Sequence, residues 1–72
     1  MRITYDPEVD ALSITFRDTT VTTQHLADGI AVDYDSESKI AGIEILDAVV
    51  RLGSKDILRQ ITLEGVGLDV PA

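Results

Sequence analysis

The chain has 72 residues, thirteen acids against six bases, a net charge of −7, no cysteine and a single histidine. That excludes disulfide staples and thiolate metal sites, leaves too few ligands for a closed structural zinc site, and allows one domain with a thin core. An acidic body disfavours autonomous nucleic-acid binding, which draws most of its non-specific affinity from phosphate attraction, and suits a basic protein partner instead.

The charge is unevenly spread. Residues 1–47 hold ten of the thirteen acids and three bases, whereas residues 48–72 hold three of each. Small domains without staples often gain their missing burial by oligomerising, so a homodimer is the default expectation. The first ten residues, MRITYDPEVD, show no apolar run of signal-peptide length, and no stretch approaches the roughly 20 apolar residues of a membrane span. A soluble cytoplasmic protein is expected, without membrane contact.

In chain order, residues 2–5 read as a short strand with Ile3 and Tyr5 on one face. Asp6-Pro7 forces a turn, because proline fixes its own φ and pushes the preceding residue to extended backbone. Asp6 can also accept forward from backbone N–H groups. Leu12, Ile14 and Phe16 then alternate with Ser13, Thr15 and Arg17, which predicts a strand with one buried and one wet face. A threonine-rich stretch, residues 21–27, is polar on both sides and suits a sheet edge. Asp28-Gly29 marks a tight turn into a further half-buried strand carrying Ile30, Val32 and Tyr34. After the turn at residues 35–38, Ile40, Ile43 and Ile45 break strict alternation at Ala41-Gly42. A β-bulge at Gly42 would return all three isoleucines to the core face.

From Leu46 the period becomes helical, through Val50, Gly53, Ile57 and Ile61, with Asp47 as the expected N-cap. Two readings stay open for residues 48–60: one helix crossing Gly53, or two short ones with Gly53 closing the first and Ser54 opening the second. The second reading uses both residues in their preferred positions. The tail, residues 61–72, could form a final strand, pack on a partner or stay loose. The expected architecture is α+β: an antiparallel sheet of two hairpins over about 2–46, a helical segment over about 47–60, and the tail.

Two acidic clusters invite a chemical reading. Asp6, Glu8 and Asp10 form one; Asp33, Asp35 and Glu37 form the other, with the every-other-residue spacing that calcium loops use. The turn glycine, the terminal bidentate glutamate and the flanking helices of an EF-hand loop are missing, so Asp33, Asp35 and Glu37 are weak metal candidates, and the spacing is that of a strand's wet face. No cofactor is expected. His25 has no serine in a nucleophile-elbow context, since Ser13, Ser36, Ser38 and Ser54 all lie elsewhere. Gly65-Val66-Gly67 lacks the third glycine and the following helix of a phosphate loop. The three aromatics, Tyr5, Phe16 and Tyr34, fall on core faces and offer no stacking platform for bases. No catalytic residue is nominated, and an enzyme is not expected.

Arg51, Lys55 and Arg59 recur every four residues and would align on one side of a continuous helix, a stripe that a break at Gly53-Ser54 would dissolve. They join Thr23 and His25 of the edge strand as candidate partner contacts, since sheet edges and helix faces are the surfaces peptide partners use.

The segments ITYDPEVDALSITF and DGIAVDYDSESKIAGIEILDAVVRL, residues 3–16 and 28–52, resemble the YuzE-like proteins, a family of small bacterial and archaeal proteins of unknown function. Against that family's pattern, Ser13 stands where an aromatic is more usual, and Ser36-Glu37-Ser38 lacks the usual turn glycine. The resemblance implies a curved antiparallel sheet followed by helix, with no established activity or site residues. Members of the family look like frequent neighbours of small toxin-like genes, which implies an antitoxin-like role. The expectation is therefore a non-enzymatic protein-interaction domain that neutralises a basic partner. The alternative is a small-ligand or divalent-cation module built on the acidic turns.

Overall fold

A computed structural model describes residues 1–67. Five strands, β1 (Arg2–Asp6), β2 (Ala11–Thr15), β3 (Thr22–Ala27), β4 (Ile30–Tyr34) and β5 (Ile40–Ile45), form one sheet in the order β1-β2-β5-β4-β3, every pair antiparallel. The threonine-rich strand is an edge, as its two polar faces imply. The connection over residues 16–21 carries the chain from β2 past the ends of β5 and β4 to that far edge. It is held there by Phe16 and Arg17, whose backbone N–H groups both donate to the Ala41 carbonyl, and by the ion pair between Arg17 and Asp35.

The register sorts the side chains into rows. Ile3, Ile14, Ile43, Val32 and Gln24 lie opposite one another across the five strands, and Tyr5, Leu12, Ile45, Ile30 and Ala27 form the parallel row. The other face carries Thr4, Ser13, Glu44, Ala31 and His25 in register, and beside them Arg2, Thr15, Gly42, Asp33 and Thr23. One face is therefore aliphatic and the other polar, as a period of two dictates.

The bulge expected in β5 is present. Asp33 pairs with Gly42 while its neighbour Tyr34 pairs with Ile40, so Ala41 is the extra residue. Ile43 and Ile45 thereby share the apolar face with Val32 and Ile30, and Ile40 stands opposite Tyr34 at the margin, half exposed. Glycine at position 42 fits a crowded spot: a Cβ there would lie 3.1 Å from the Ile14 carbonyl oxygen and 3.2 Å from Asp33 Oδ2. A second bulge, at Leu26, interrupts the pairing of β3 with β4.

The helical segment is much shorter than its periodicity suggests. Among the described residues the single α-helix, α1 (Ala48–Leu52), is followed by a 3₁₀ turn over Lys55–Arg59. Gly53, at φ 96°, closes α1 by donating its N–H to the Val49 carbonyl, and Ser54 opens the next turn by accepting from Asp56 N at 3.0 Å. Of the two readings of residues 48–60, the broken one is correct. The expected α+β class is corrected with it, because five strands and one five-residue helix make a mostly-β fold. Residues 61–67 add no strand or helix, and what the tail does from residue 68 onward lies outside the described residues.

Candidate functional site

Tyr5-Asp6 at the end of β1 and Tyr34-Asp35 at the end of β4 each close a hairpin turn through the aspartate. In the first turn Asp6 Oδ1 accepts from Glu8 N at 2.9 Å, closing the Asx-turn expected there. In the second, Asp35 Oδ1 accepts from Glu37 N at 2.8 Å and Lys39 N at 2.9 Å, while its other oxygen faces Arg17. Those contacts hold the Asp35 carboxyl below its ordinary value, led by the Lys39 backbone bond, with smaller help from Glu37 and Arg17 and against the desolvation of a side chain only 8% exposed. Ser38 takes φ 63° in this turn, the position where a glycine would be at ease.

Asp10 is the residue that sequence reasoning missed. It takes φ 52° at the end of the β1–β2 turn, a left-handed conformation that aspartate tolerates better than most residues. There its carboxylate receives Val49 N at 3.1 and 3.3 Å, and its carbonyl receives Ala48 N at 3.0 Å. Asp10 thus caps α1 from a turn 39 positions earlier. Asp47, the N-cap expected from local sequence, has φ 51° and makes no side-chain cap bond. The expectation failed because Asp47 lies in the left-handed region, whereas a capping side chain reaches its N–H targets from extended backbone. Tyr5 joins the same cluster by donating its hydroxyl to Asp10 Oδ1 at 2.6 Å. That bond to a carboxylate raises the phenol's pKa, with burial and the charges of Asp10 and Asp6 adding to it.

The other nominated residues are scattered. Thr23 donates Oγ1 to Asp33 Oδ1 at 2.6 Å across β3 and β4, and His25 stands exposed opposite Ala31 on the polar face. Glu37 contributes its backbone to the β4–β5 turn. Among the described residues no group of three or more His, Cys, Asp or Glu side chains is placed to hold a metal ion. The basic stripe dissolves with the helix break. Arg51 folds back, its Nε donating to the Leu46 carbonyl at 2.9 Å and its guanidinium lying against Gly29, while Arg59 faces Asp56 at 3.5 Å and Lys55 opens the 3₁₀ turn.

The feature that does gather residues from several elements is an apolar trough of about 340 Å³. Its floor is Ile3, Tyr5, Leu12 and Ile14, the β1–β2 end of the two aliphatic rows. Its wall is Leu52 at the end of α1 with Ile57, Leu58 and Ile61, which follow the break at Gly53 and Ser54. The Tyr5–Asp10–Val49 bonds pin wall to floor. The trough's lining is aliphatic apart from the Tyr5 ring and phenol. Burial is correspondingly sparse: Ala31, Val32, Ala41 and Ala48 are the only buried apolar residues among those described, and Ile3, Ile57 and Ile61 remain 43, 52 and 64% exposed. None of the helices described is long and apolar enough to cross a membrane.

Comparison with known proteins gives one match. A family model described as "Protein of unknown function (DUF2283)" covers residues 2–48, the five strands and the first residue of α1. No curated protein and no solved structure matches the chain.

Proposed function

The chain belongs to the DUF2283 family, whose description assigns no function, and from the geometry we propose that it is a non-enzymatic protein-interaction domain. The observation that carries this reading is the open apolar trough on the aliphatic face, whose Ile3, Tyr5, Ile57 and Ile61 stay exposed, since exposed apolar patches mark interaction surfaces. The acidic body, ten acids to three bases over residues 1–47, suits a basic protein, by steering the encounter and complementing its charge. The kinship of the two hairpin blocks with YuzE-like proteins, and the antitoxin-like neutralisation of a basic partner that it implies, belong to this proposal, as does a cytoplasmic location.

The test is an NMR titration of the labelled domain with the product of the adjacent reading frame, together with co-expression to see whether the domain relieves any growth inhibition that product causes. Saturable amide shifts that weaken as salt is raised are expected. Unchanged spectra at about 100 µM of each protein, a concentration that would populate even weak complexes, with no rescue, contradict the proposal.

A further inference from the structure

We propose that the trough between the β1–β2 floor and the Leu52–Ile61 wall is a self-association site, occupied by the same face of a second copy of the chain. The inference rests on the reading of the chain as an interaction domain and names the first partner of its apolar face.

The surface area makes the case. A compact monomer of 7.8 kDa exposes about 4,400 Å², whereas this chain exposes 5792 Å². Its radius of gyration is 13.5 Å, against about 11 Å for a compact chain of this length. The excess, about 1,400 Å², is more than the ~800 Å² that each partner contributes to a standard stable interface. On the trough face the exposure falls on Ile3, Tyr5, Ile57 and Ile61.

Shape and charge point to a second copy as the occupant. Trough and ridge lie on one face: Ile57 and Ile61 line the depression and still expose more than half of their surface. A two-fold contact can therefore set each copy's isoleucines over the other's opening, the self-complementarity that an isologous interface requires. The wall is also where the charge is balanced, with three acids and three bases over residues 48–72. Two copies would therefore meet there with little repulsion from the wall, and the carboxylates of Asp6 and Asp10 beside the floor leave the acidic body free to face a basic protein. Their remaining repulsion is long-range, between bodies of net charge −7, and salt screens it. Self-association should therefore tighten as salt rises, opposite to the salt dependence expected for a basic partner.

Sedimentation velocity over about 1–100 µM, the range that brackets micromolar dissociation constants, tests the inference. The wild type should sediment at twice its 7.8 kDa mass at the upper concentrations, more completely at high salt. Ile57→Lys and Ile61→Lys should each weaken the dimer about tenfold or more, because the ammonium group would be buried without a partner. Ile61 lies beyond the last helical turn, so I61K reads the interface even if I57K disturbs the fold, and circular dichroism should show its sheet intact. Val50→Lys, at a position 79% exposed and outside the trough, should leave the mass unchanged. A wild type monomeric throughout overturns the inference, as does a dimer that survives both lysines and is broken by Thr23→Pro in the edge strand β3. A monomer that still binds the basic protein removes this inference alone. A trough-mediated dimer that binds no basic protein upholds it while the charge-based partner reading fails.

Discussion

Replacing Asp10 by alanine should destabilise the domain more than replacing Asp47, although local sequence marks Asp47 as the helix cap. Both residues have left-handed backbone, at φ 52° and 51°, so alanine costs each a similar amount of strain. Only Asp10 also loses bonds to the α1 N-terminus, at 3.1 and 3.3 Å to Val49 N. Removing a capping side chain costs about 1 kcal/mol, within a range of roughly 0.5–2. In a domain of this size, 1 kcal/mol moves the melting temperature by about 4–8 °C. Asp10→Ala should therefore melt about 4–8 °C below Asp47→Ala. Asp10→Asn, which keeps an acceptor oxygen and tolerates the same backbone, should stay within about 0.5 kcal/mol of wild type. Thermal melts of the three variants, repeated with Tyr5→Phe to isolate the hydroxyl's share, make the comparison. Equal melting temperatures for the two alanine variants, or a lower one for Asp47→Ala, would refute the long-range cap.

Ser38→Gly should stabilise the domain by about 0.5–1 kcal/mol in denaturant titrations, because φ 63° strains serine and suits glycine. Gly42→Ala should destabilise it by about 1 kcal/mol, since the new methyl would press on the Ile14 carbonyl and push aside the Asp33 carboxylate. Acid should weaken the fold through Asp35. Its carboxyl is depressed below 3.8 in the native state, so the unfolded chain takes up the proton first. Stability from this group is present above pH 3.8 and lost as pH falls through the native value. Melting temperatures followed from neutral pH into that range should fall less steeply for Asp35→Asn than for wild type. The Tyr5 phenol works in the opposite sense: its raised pKa adds stability below its ordinary value of 10.0, which is lost at more alkaline pH as the native group ionises. Tyr5→Phe should remove that alkaline step.

Much of the sheet was legible because its signals are local. The alternation of Leu12, Ile14 and Phe16, and of Ile30, Val32 and Tyr34, needs no distant information to define a face. The break at Ala41-Gly42 was readable for the same reason, since only a bulge reconciles Ile40 with Ile43 and Ile45. Gly53-Ser54 held both a stop and a start signal, and these overrode the helical spacing that runs from Leu46 to Ile61. That stop dissolved the Arg51, Lys55 and Arg59 stripe, because i,i+4 neighbours share a face only while the helix is continuous. The cap from Asp10 was invisible, because it joins residues 39 apart and depends on the register that brings the first turn against α1. Periodicity likewise says which side chains share a face but not whether anything covers it. Ile3, Ile57 and Ile61 read as core residues, and only the fold shows that they stay 43, 52 and 64% exposed.

The account depends most on what fills the trough. An isotope-filtered NOE experiment on an equal mixture of ¹³C-labelled and unlabelled chains measures this directly, because its cross-peaks arise only between copies. The account predicts intermolecular peaks from the Ile57 and Ile61 methyls to those of Ile3, Leu12 and Ile14. A folded protein whose trough methyls give no such cross-peaks, at concentrations of several hundred µM where even weak dimers assemble, would contradict it.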